Sequence, residues 1–125
     1  LRSEVAKKPL TPHEKFSQSL RRLESQGFHL KGDYKAFALG ITAIVKKAIG
    51  EELKFAAEDL TTEELVAVLK KNYRGFWVKV ENILEIFLSD LDQIKFAKTE
   101  VTVDRCVDLL DQASRIGRML YGGSQ

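Results

Sequence analysis

From residue 13 onward the chain contains no proline; its two prolines, Pro9 and Pro12, stand near the start. Proline inside a helix removes a hydrogen bond and clashes with the preceding turn, so almost the whole chain is free to be helical. Helix starts are equally plain. Thr11-Pro12-His13-Glu14 joins a capping threonine, a proline at the first helical position and a glutamate three residues after the cap. Thr61 with Glu64 offers the same capping box. Asp33 and Thr102 can cap two further helices, and Asp104 falls in the first turn of the latter, where the helix dipole favours a carboxylate.

Apolar spacing fills in the bodies. Phe16, Leu20 and Leu23 recur at helical intervals and Gly27 follows as a stop. Tyr34 to Ile49 carries a broad apolar face, with Lys35, Lys46 and Lys47 expected outside it and Gly50 as its stop. So wide a face predicts a helix at the centre of the core. Gly40 within it costs about 1 kcal/mol relative to alanine, and is expected to admit another helix closely. Glu51 to Asp59 reads either as a turn or as a short helix. Leu65, Val68 and Leu69 mark a short helix, Val80 to Leu91 a longer one, and Val103 to Ile116 the last.

The pattern therefore predicts an all-α fold, a single compact bundle of about five helices near 12–26, 33–49, 62–71, 75–91 and 103–119. Residues 1–10 read as a basic linker, 11–121 as the helical domain and 122–125 as a flexible tail. Phe37, Ile41, Val45, Leu65, Leu69, Leu84, Phe87, Leu88, Phe96 and Leu110 are the expected core.

Charge is modest overall, +2, but uneven: residues 1–35 hold eight Lys/Arg against four acids. Such a stretch suits either a solvated helix face or an anionic surface. Nucleic acid is disfavoured as its target, because no aromatics interleave the basic residues and the total charge is small. Hydrophobic residues make up 44% and charged residues 30%, a balance that supports a packed core. No run of about 18 apolar residues occurs, so nothing in these residues crosses a bilayer as a helix.

Little in the sequence points to catalysis. His13 and His29 are expected on the surface. With one cysteine and two distant histidines no closed zinc site is expected, and Cys106 reads as a buried thiol. Asp90 and Asp92 lack the glycine and glutamate of a calcium loop. No cofactor and no small-molecule substrate is implied. Trp77 reads first as core filling, with a place in a partner groove as the alternative, since Trp is enriched at binding hot spots.

Three segments, taken in order, resemble a known family: Leu60-Thr61-Thr62-Glu63-Glu64-Leu65, Asp92-Gln93-Ile94-Lys95-Phe96-Ala97, and the Val107-Asp108-Leu109-Leu110 helix. They are similar to the C-terminal cytosolic region of BatD-type proteins and of short membrane proteins encoded beside them. The resemblance covers roughly residues 34 to 116. Tyr73-Arg74-Gly75-Phe76-Trp77 matches no signature of that family, and before Tyr34 only the basic character fits, as a juxtamembrane stretch.

The resemblance implies a bacterial, membrane-anchored parent with this part on the cytoplasmic side of the inner membrane. It also implies a setting with a MoxR-type AAA+ ATPase and von Willebrand A proteins, linked to stress or oxygen tolerance. The expectation is a non-enzymatic interaction domain that docks one of those partners. Asp92, Lys95 and Phe96 would form a hinge between the last two helices, and Arg2, Lys7, Lys8, Arg21 and Arg22 would face anionic lipid. The alternative is a nucleic-acid-binding helical domain using Arg21, Arg22, Lys31 and Lys35.

Overall fold

A computed structural model describes residues 8–122. Among them are six α-helices, one single-turn 3-10 helix and no strand: α1 (Pro12–Gln26), α2 (Tyr34–Leu53), the 3-10 turn (Ala57–Asp59), α3 (Thr62–Asn72), α4 (Arg74–Val80), α5 (Leu84–Lys95) and α6 (Val103–Leu120). The all-α expectation holds, with six helices where about five were expected. Arg2, Lys7 and most of the 1–10 and 122–125 segments lie outside the described residues.

The starts follow the sequence. Thr11 and Thr61 each close a capping box, with Glu14 and Glu64 respectively. Asp33 and Thr102 accept from backbone N–H groups three residues on. Gly27 ends α1 in the left-handed conformation that glycine adopts without a Cβ penalty.

Two boundaries depart from expectation. Gly50 does not stop α2, which continues to Leu53 and turns at Lys54, whose N–H donates to the Gly50 carbonyl at 2.8 Å. Gly50 serves close approach instead: a Cβ there would meet the Phe55 carbonyl oxygen at 2.7 Å. The helix expected over 75–91 is interrupted at Glu81–Ile83. No residue there is a strong helix breaker, so packing imposes the break. Val80 and Leu84 are both fully buried, yet α4 packs on α3 and α6 while α5 packs mainly on α2.

Helix α2 is the hub, touching α1, α5, α6 and the 3-10 turn. Leu23 of α1 lies where Gly40 has no side chain, and Phe16 lies against Gly117 of α6. Nine of the ten expected core residues are buried; Phe96 is not, at 66% exposed. Phe96 is nine positions beyond Phe87, about 180° round the helix at roughly 100° per residue. Its apolar character suggested the core, but the helical period points it outward. His29, expected on the surface, is buried at 3% exposure against the Phe37 ring, 5.1 Å between centroids. Its place in the tight Gly27–Asp33 reversal folds it under α2.

Candidate functional site

Two of the three segments of the resemblance meet through polar side chains. Thr61 caps α3, which places Thr62 on the inner side of that helix's first turn. Thr62 donates from Oγ1 to Asp92 Oδ2 of α5 at 2.7 Å. The other Asp92 oxygen receives Lys95 Nζ at 3.0 Å, one turn on. Lys46 of α2 donates from Nζ to the Leu60 carbonyl at 2.5 Å, just ahead of the cap. The Thr62–Asp92 bond thus ties α3 to α5, the Lys46 ammonium ties α2 to the connection before α3, and the Asp92–Lys95 pair lies within α5.

Lys46 was expected outside the apolar face of α2 and is instead buried, at 9% exposure. It follows Thr42 by four residues and precedes Ile49 by three, so the helical period already placed it inward. Burial lowers the pKa of Lys46 from its usual value, and nearby Lys95 lowers it further, while Asp92 and Glu64 pull it back up. Burial disfavours an ammonium unless acceptors replace water. The Leu60 carbonyl supplies one acceptor.

Asp92, Lys95 and Phe96 come together where α5 ends. The end is a Schellman motif, with Ala97 N–H donating to the Ile94 carbonyl at 3.1 Å and Lys98 N–H to the Gln93 carbonyl at 2.9 Å. Ala97 takes the left-handed position, φ 55°, where glycine is usual. The reversal follows Phe96, whose ring stays in solvent with Lys95 Nζ 5.8 Å from its centre. Replacing Ala97 with glycine should stabilise the protein by about 1 kcal/mol, because the left-handed conformation is strained for alanine. Urea denaturation will check it; a loss of stability would mean that the corner is not a strained Schellman turn.

Beside this corner, Arg105 of α6 pairs with Asp90. They line a pocket of about 220 Å³ with Gln93, Thr99 and Glu100. Trp77, the other nominated residue, lies apart from solvent: it is buried on α4, with Lys70 Nζ 5.4 Å from its ring centre. It fills core and presents no anchor to a partner. Cys106 is fully buried, and burial raises its thiol pKa despite the nearby Arg105, so little reactive thiolate forms. Lys8, Arg21 and Arg22 are exposed. No group of three or more His, Cys, Asp and Glu side chains placed to hold a metal ion occurs among the described residues. No described helix is long and apolar enough to cross a membrane.

Comparison with protein-family models, with curated proteins and with solved structures finds no match to this chain.

Proposed function

We propose that this chain is a non-enzymatic interaction domain on the cytoplasmic side of a bacterial inner membrane, part of a BatD-like protein. It docks a MoxR-type AAA+ ATPase or a von Willebrand A partner through the corner at Phe96. The observation that carries the reading is a large aromatic side chain, 66% exposed, held at a fixed helix end by the Asp92–Lys95 pair and the Schellman turn. An exposed ring loses little conformational freedom on binding when its backbone is already fixed, which makes it a good anchor. The exposed Lys8, Arg21 and Arg22 are consistent with an adjacent anionic membrane, where each cation near the surface contributes about 1 kcal/mol.

Titration of the chain with purified candidate ATPase and von Willebrand A proteins is the test. Phe96→Ala should weaken binding at least about tenfold, the loss typical of an interface anchor, while the melting temperature stays unchanged. Failure of the unaltered chain to bind either protein, or binding that Phe96→Ala leaves intact, removes this reading. Tighter retention of oligonucleotides than of anionic vesicles in matched buffer, with a steep salt slope, would favour the nucleic-acid alternative.

A further inference from the structure

A groove of about 750 Å³ runs between α1 and α2 and shares no residue with the Lys46–Leu60 and Thr62–Asp92 bonds. That volume falls within the range of ligand-sized clefts, roughly 300–1,000 Å³. Its floor is apolar: Phe16 and Ala48 are buried and Ile44 is half-buried. Tyr121 adds its ring, tilted against Phe16 at 6.1 Å. Leu39, 48% exposed, lies one turn before Ala43 on the same outward stripe of α2.

The charges lining the groove are segregated. The short reversal after α1 makes the two helices antiparallel, and the contact of Leu23 with Gly40 sets their register. By that register Arg22 lies toward one end of the groove and Lys47 and Lys15 toward its middle, so this part is cationic. At the other end, the last turn of α2 supplies Glu51 and Glu52, and the 3-10 turn supplies Glu58, with Lys54 offsetting one of them. The ion pairs found among the described residues join Asp92 to Lys95, Asp90 to Arg105 and Asp111 to Arg115, so none of them uses a groove charge.

We propose that this groove docks an amphipathic helical segment of a partner protein, with an apolar stripe, acidic residues at one end and basic residues at the other. The mode is helix-in-groove: an apolar face covers the floor and rim charges fix the orientation. From Ala43 to Glu52 the α2 wall runs roughly 14 Å at about 1.5 Å per residue, so about three helical turns fill it. The site is independent of the Phe96 corner.

Three synthetic amphipathic peptides sharing one leucine stripe form the probe set. One carries a polar face graded from Glu to Lys, one is all Glu and one is all Lys. In fluorescence anisotropy with the 125-residue chain, the graded peptide should bind about tenfold tighter than either uniform one. Combining Arg22→Glu with Lys47→Glu should turn the preference to the all-Lys peptide. Ala43→Trp, at an exposed groove position, should abolish binding with an unchanged circular dichroism spectrum, and Phe96→Ala should leave it intact. Equal binding of the three peptides, no binding, or binding indifferent to Ala43→Trp overturns the proposal. A chain dimer lost on Ala43→Trp would overturn it in favour of a second copy, and anionic-vesicle binding lost on that change would overturn it in favour of lipid.

Discussion

Replacing Phe87 with alanine is expected to cost about 3–5 kcal/mol, whereas replacing Phe96 should cost no more than about 0.5 kcal/mol. Phe87 is fully buried on α5, the face that packs on α2. Truncating it removes apolar area from the centre of the core and leaves a cavity that two flanking helices cannot easily close. Phe96 has the same side chain but spends most of its surface on water, so truncation removes few contacts. Urea denaturation of both variants, with the slope held common, will read the difference in midpoint. A Phe96→Ala loss comparable to that of Phe87→Ala would mean that the α5 corner is packed in solution.

That contrast also marks where the sequence was legible. Helix starts were readable because caps are local chemistry: Thr11, Asp33, Thr61 and Thr102 each act within a few residues. The central place of α2 was readable because a wide apolar face must be covered on several sides. The break at Glu81–Ile83 was not, since no residue there breaks a helix strongly and the cause is the pull of different partners on α4 and α5. Gly50 was misread for a related reason. A glycine near a helix end suggests a stop, but here it admits the Phe55 carbonyl, a contact that exists only in the folded chain.

The candidate site was legible in part. Asp92, Lys95 and Phe96 do stand together, as their spacing across a helix end requires. The Thr62–Asp92 bond and the neighbouring Lys46–Leu60 bond span long sequence separations, and no local pattern announces them. Period alone could have corrected two readings: Lys46 falls in step with Thr42 and Ile49, and Phe96 falls out of step with Phe87. In both cases residue type outweighed position, a lysine being assigned to water and a phenylalanine to the core. Trp77 conformed to its type and went inside. His29 could not have been placed without the Gly27–Asp33 reversal that buries it.

Gly117→Ala sets two effects of opposite sign against each other. In a helix interior alanine is favoured over glycine by about 1 kcal/mol, so propensity predicts a gain. At Gly117 the added Cβ would lie 2.8 Å from Cδ2 of Phe16 and closer still to its Cε2. Phe16 is buried and packed against Tyr121, so the ring has no ready retreat. Overpacking of this kind costs about 1–3 kcal/mol, so once the helical gain is set against it we expect a net loss of about 1 kcal/mol. At Gly40 the nearest obstruction is the tip of Leu23, a more flexible neighbour, so Gly40→Ala should cost less. Combining Gly117→Ala with Phe16→Leu provides the decisive measurement. If the clash is the cause, the smaller side chain relieves it, and the double variant should lose less than the two single losses together, by about 1 kcal/mol. A stabilised Gly117→Ala, or strict additivity in the pair, would mean that α1 and α6 cross less closely than the Phe16–Gly117 contact requires.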